Sequence, residues 1–239
     1  MSKNNISFIL HKPQLSENIG ACARAIKNFN FKKLILVNPK PIFPNDKILA
    51  TSVGAKNIIN KSKLFDNLEP ALKNTDYVIA TSARFRNKNI KHISLDALAQ
   101  INFTKKVSFL FGSEASGLTN EEISYADYTL QIPSNSKFRS LNLSHSLVIV
   151  AQAVSYLISI NRVDFQKSKK IQRATKKEIS NMLKFCLSTL ENQNFFKQKA
   201  KKPIMIENLR SIFYKMELSQ KEIRILSSVF ASLYKKKLD

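Results

Sequence analysis

Apolar residues fall in short, nearly unbroken blocks through the first two-thirds of the chain. These are Ile6–Leu10, Leu34–Val37, Tyr77–Thr81, Val107–Phe111 and Tyr128–Ile132. Strands covered on both faces read this way, because neither side meets water. Between the blocks the spacing turns helical. Glu17–Phe29 is one such stretch and Ser94–Gln100 another. Asp66–Lys73 and Thr119–Tyr125 each open with a capping box, Asp66 with Glu69 and Thr119 with Glu122. Asn142–Ile160 closes the series as a long apolar helix. The alternation predicts an α/β domain with a mostly parallel sheet covered by helices.

After residue 160 the texture changes. Residues 161–172 (NRVDFQKSKKIQ) are polar and basic and read as a linker. Three helical stretches follow, over 173–193, 204–217 and 220–236. The last starts at Ser219 with a box to Glu222, and Ile223, Leu226, Val229, Phe230 and Leu233 form one apolar stripe. Such a stripe needs a partner surface, either the main domain or a second copy. The expected organisation is a domain over 1–160, a linker over 161–172 and a basic helical extension over 173–239.

Composition adds a partner class. Of the 239 residues, 44% are apolar, enough for a sizeable core. Lys+Arg number 39 against 17 Asp+Glu, a net charge of +22. A chain this basic attracts polyanions, with nucleic acid the first candidate and an anionic membrane surface the second. The final 79 residues hold 19 Lys+Arg and 7 Asp+Glu, a charge density roughly double that of the first 160.

Cys22 and Cys186 form no CxxC, and with only His11, His92 and His145 no zinc spacing can be assembled, so no metal is expected. The cysteine pattern fits a reducing cytoplasm. The apolar stretch Leu147–Ile160 is interrupted by Gln152, Ser155 and Ser159, which suits a buried helix better than a membrane span.

Glycine is scarce, with four residues where about 17 would be usual at ~7%. Gly112 ends the block VSFLF and Gly117 follows in FGSEASGLTNEE, a strand, a tight loop and a capped helix. Parallel sheets bind ligands at such strand ends. There is no GxGxxG and no GxxxxGK[ST], which argues against a dinucleotide or P-loop enzyme.

Four segments add specificity: HKPQLSENIGACARAIKNFNFKKLILVNP from His11, TSAR at Thr81–Arg84, FGSEASGL from Phe111, and IPSNSKFRSLNLSHSL from Ile132. In this order they resemble the SpoU (TrmH) branch of the SPOUT RNA methyltransferases, over His11 to about Tyr156. TSAR and the C-terminal ENLRSIFYKMELSQKEIRILSSVFASL are similar more narrowly to the TrmJ group, which methylates ribose at position 32 of the tRNA anticodon loop.

The resemblance implies a Rossmann-like sheet with a C-terminal trefoil knot around Thr81, Gly112 and Ile132–Asn142. It also implies a homodimer and S-adenosylmethionine as methyl donor. Carried over, Thr81, Ser82, Ala83, Gly112, Ile132, Ser140, Leu141 and Asn142 hold the donor. Arg24, from the NxGxxxR spacing, acts on the target ribose with Asn18, Glu114, Ser140 and Asn142. Arg24, Arg84 and Arg139 grip RNA.

Arginine as general base is hard to defend, since guanidinium keeps its proton throughout the pH range in which proteins work. Gripping phosphate and stabilising incipient alkoxide fit it better. Two departures stand out: Ser113 in FGSE, and His145 with Ser146 in SLNLSHSL. A histidine on that core helix is expected to be satisfied by backbone rather than to accept a proton. Ribosomal RNA or another tRNA site is the alternative substrate, and a non-catalytic RNA-binding protein the alternative class.

Overall fold

A computed structural model describes residues 3–84, 90–160 and 173–235. The expected linker, 161–172, and residue 236 at the end of the last expected helix lie outside the described residues. Seven strands form one sheet: β1 (Ile6–His11), β2 (Lys33–Val37), β3 (Lys63–Phe65), β4 (Tyr77–Thr81), β5 (Lys91–Ile93), β6 (Val107–Phe111) and β7 (Tyr128–Leu130). Their order is β3-β2-β1-β6-β4-β7-β5, and every pairing is parallel.

Every residue of β1 and β6 is buried, which is why both read as unbroken apolar runs. The short edge strands β3 and β5 carry Lys63 and Lys91 in three residues each and give no such signal.

One face of the sheet packs on α1 (Ser16–Asn28), α2 (Asp46–Thr51), α3 (Lys56–Asn60) and α6 (Leu143–Ile160). The other face is covered thinly, by α4 (Leu68–Leu72) and α5 (Asn120–Ile123). Helices α7 (Lys176–Asn192), α8 (Lys202–Lys215) and α9 (Gln220–Lys235) build a core of their own, with Ile179, Leu183, Phe213, Tyr214 and Ile223 buried. Tyr125 of the main sheet unit packs against that core.

The boxes at Thr119 and Ser219 form as expected. The one at Asp66 does not. Asn67 takes the cap position of α4 without a side-chain cap bond, and Glu69 turns away to accept from Ser180 Oγ (2.9 Å) and Lys184 Nζ (2.6 Å) on α7. Ser94–Gln100 is a 3-10 turn over Asp96–Gln100 rather than an α-helix. Of the α9 stripe, Ile223, Leu226 and Phe230 join the core, while Val229 and Leu233 stay about half exposed. His145, expected on a core helix with its ring satisfied by backbone, lies on the exposed side of α6.

A buried ionic cluster joins the helical extension to the sheet. Asp127, just before β7, binds Arg173 Nη2 (2.9 Å) and Lys176 Nζ (2.6 Å) and accepts the Val78 amide (2.7 Å). Arg173 also pairs with Glu217 (3.1 Å) and lies 3.7 Å over the Tyr77 ring. Lys176 is 1% exposed. Burial pulls its ammonium below the ordinary value, with Asp127 opposing.

Candidate active site

Three stretches far apart in sequence meet at the C-terminal ends of β4, β6 and β7. They enclose a cavity of about 450 Å³. Thr81–Arg84 forms one wall, Phe111–Leu118 the second and residues 136–141 with Ile132 the third. The position is where a parallel sheet exposes backbone polar groups to a ligand.

Gly112 is required by close approach. A Cβ there would stand 2.3 Å from the Gly117 carbonyl carbon and 2.4 Å from the Leu118 nitrogen, both backbone. Gly117, at φ +65°, closes the turn, its amide donating to the Ser113 carbonyl at 2.9 Å. Ser82 folds its own loop back, its amide reaching the Leu130 carbonyl (3.1 Å) and its hydroxyl the Arg84 carbonyl (2.7 Å).

Of the residues expected to hold the donor, Thr81, Ser82, Ala83, Gly112, Ile132, Ser140 and Leu141 all line this cavity, and Asn142 does not. Arg84, Arg139 and Glu114 line it too.

A hydrogen-bond chain stands behind the wall. Glu114 accepts the Gln14 and Leu15 amides (2.8 and 3.3 Å) and Asn18 Nδ2 (2.8 Å). Asn18 Oδ1 in turn accepts from Asn142 Nδ2 at 3.0 Å, and Asn142 Oδ1 accepts the Ser144 amide at 2.8 Å at the start of α6. The carboxylate thus satisfies the two amides that lead into α1 and ties the cavity loop to the start of that helix.

Arg24 is not brought to the cavity of its own chain. It is exposed on α1 and makes no hydrogen bond or ion pair with the described residues. Gly20, the glycine of the NxGxxxR spacing, faces α2. A Cβ on Gly20 would meet Thr51 Oγ1 at 2.0 Å and the Ile48 carbonyl at 2.5 Å, so the glycine serves the packing of α1 on α2.

A sequence profile described as the SpoU rRNA Methylase family matches residues 5–152. The chain belongs to this family. A relative from Sodalis glossinidius, named tRNA (cytidine/uridine-2′-O-)-methyltransferase TrmJ, is 30% identical over 96% of this chain and 91% of its own. One of the same name from Photorhabdus laumondii is 29% identical over 97% of both. The crystal structure of TrmJ from Z. mobilis ZM4 superposes with a TM-score of 0.86 at 28% identity, covering 95% of this chain and 98% of that one. The likeness therefore includes the helical extension.

One constellation near the site escaped sequence reading. His11, at the end of β1 and 5% exposed, has Nε2 2.8 Å from Glu122 Oε1, which also accepts from Lys12 Nζ at 2.9 Å. Glu122 is the capping residue of α5, so this group ties the cavity loop to β1. Burial holds the His11 imidazole below its ordinary value against the pull of Glu122, and Lys12 adds to the lowering. Against burial, Lys12 and the Thr119 amide keep Glu122 below the ordinary carboxylate range.

Both shifts cost stability in acid. Below pH ~6.5 the unfolded chain takes up a proton that folded His11 refuses, and below ~4.5 the same holds for Glu122. The melting temperature of the wild type should fall from pH 7 to pH 5, and that of His11→Gln should fall less. Parallel slopes in the two proteins would remove His11 from the effect.

Proposed function

We infer that the chain is an S-adenosylmethionine-dependent RNA ribose 2′-O-methyltransferase whose target is tRNA, at the position-32 ribose of the anticodon loop. The observation that carries this is a cavity walled by three separate stretches of a SpoU-family chain. Similarity to TrmJ that runs through the extension favours the anticodon-loop site. A neighbour whose structure bears on the 2-OH methylation of C/U34 on tRNA is 25% identical and covers only 67% of this chain.

The cavity fits the donor. Ile132, Leu141 and Leu118 offer apolar surface for a purine, and the Thr81–Ala83 and Gly112 backbone in the wall would supply hydrogen-bonding groups to the donor. The donor supplies a methyl group on a positively charged sulfur. The chain must exclude water, hold the ribose oxygen in line and stabilise the charge that develops on it. Glu114, Asn18 and Asn142 fix the loops that do the holding, Ser140 lies in the wall, and Arg84 and Arg139 present cations to RNA phosphate.

The catalytic guanidinium comes from a second copy. α6 is long and apolar enough to cross a membrane, yet its Leu147, Val150, Ala151 and Val154 are buried in the core. Its Val148, Tyr156 and Ile160 are exposed at 39%, 58% and 50%. A homodimer formed on this face and on α1 covers them and carries Arg24 to the neighbouring cavity. Among the described residues no cluster of His, Cys, Asp or Glu could hold a metal ion.

The test uses a tRNA transcript and labelled donor. Label should enter one ribose, and a 2′-deoxy nucleotide at position 32 should abolish incorporation. Full labelling of that deoxy transcript would refute the site, and no labelling of any RNA would refute the activity.

A further inference from the structure

A second cavity, of about 460 Å³, opens beside the first, between the edge strand β5 and the chain leaving β7. Its walls include His92 and Ile93 of β5, Gln131 and Pro133 after β7, and Ser136 and Arg139 of the loop beyond. Ser136 and Arg139 line both cavities, so one ridge of this loop divides them.

The ridge is a closed turn. The Phe138 amide donates to the Asn135 carbonyl (3.0 Å), the Lys137 amide to Asn135 Oδ1 (2.9 Å), and Arg139 Nε to the Ser136 carbonyl (3.1 Å). With Nε anchored, the two terminal nitrogens of Arg139 make no hydrogen bond with the described residues. The Gln131 side-chain amide makes none either, although its backbone amide is fixed to the Ile93 carbonyl at 3.1 Å. Thr129 Oγ1, 2.5 Å from His92 Nδ1, sets the imidazole. No carboxylate lines this cavity among the described residues.

The chemistry suits a nucleotide. Ile93 and Pro133 give apolar surface, Gln131 offers a donor and an acceptor together, and Arg139 supplies a guanidinium with open donors on the ridge. Single-stranded loops are read in this way, with unstacked bases turned into pockets edge-on to polar side chains.

We propose that the second cavity holds the nucleotide adjoining the methylated one. Its base lies against Ile93 and Pro133 with an edge on Gln131, and the phosphate joining the two nucleotides sits over Arg139. This rests on the function inferred above, because the first cavity must hold the donor whose methyl group meets the reacting ribose.

The experiment measures methyl transfer to an anticodon stem-loop RNA, intact or with an abasic residue on either side of the target. Gln131→Ala should bind donor as the wild type does by calorimetry, yet show a KM for the intact stem-loop raised about tenfold, one hydrogen-bonded group's worth. An abasic neighbour on one side should raise the wild-type KM similarly and add little in Gln131→Ala, because base and amide act as one pair. An unchanged KM in Gln131→Ala, or wild-type indifference to abasic residues on both sides, would overturn the subsite while leaving the transferase intact. Wild-type protein that binds donor but methylates no RNA would remove both.

Discussion

Replacing Arg24 by alanine is expected to lower methyl transfer about 10²–10³-fold, the usual loss when one donor to a developing oxyanion is removed. Donor affinity should stay at the wild-type value, since the role given to Arg24 is on the ribose and its phosphate and not on the donor. Arg24→Lys should recover little, because an ammonium is a point charge and cannot bridge two phosphate oxygens as a planar fork does. Mixing provides a sharper test of where the guanidinium acts. Arg24→Ala combined with a chain whose own cavity is blocked, such as Gly112→Val, should regain activity as heterodimers form. One cavity in each heterodimer is then complete. Measured turnover near wild type in Arg24→Lys would sink the essential role. Inert mixtures would place Arg24 on its own chain's site.

The second large effect is on stability. Asp127→Ala should destabilise the protein by about 3–5 kcal/mol, the range for removing one partner of a buried ion pair. Here the loss leaves Lys176, at 1% exposure, without a carboxylate, leaves Arg173 with Glu217 alone, and takes the Asp127 acceptor from the Val78 amide. Asp127→Asn should cost less, since an amide oxygen can still accept from Val78. Adding Lys176→Met to Asp127→Asn should restore part of the loss by removing the stranded ammonium. Urea unfolding of the three variants measures this. A loss under about 1 kcal/mol in Asp127→Ala would mean that the cluster is solvated and does not fasten the extension.

The contrast between these two residues shows what could be read from sequence. Arg24 sits in a recognisable spacing, whereas Asp127, Arg173 and Lys176 are ordinary charges until the fold brings positions 46 and 49 residues apart together. The central strands were legible because burial on both faces leaves Ile6–His11 and Val107–Phe111 apolar throughout. Strands β3 and β5 were not, being three residues long, with Lys63 and Lys91 exposed at the sheet edges.

Capping boxes were legible at Thr119, where the pairing is local. The same signal at Asp66 misled, because Glu69 finds better partners on α7, more than a hundred residues away. The cavity loops were marked by rare glycines, and Gly112 bears out the reason in its contact with Gly117. Nothing in the spacing of Asn18, Glu114 and Asn142 tells that they bond to one another. That follows only from the convergence of β1, β6 and the chain after β7.

Mass spectrometry of tRNA from cells with and without this chain tests the transferase most directly. Deletion should remove one 2′-O-methyl, at nucleotide 32 of the anticodon loop, and the wild-type chain should restore it while Arg24→Ala does not. Intact tRNA methylation in the deleted cells, or a methyl lost from ribosomal RNA instead, would contradict the assignment.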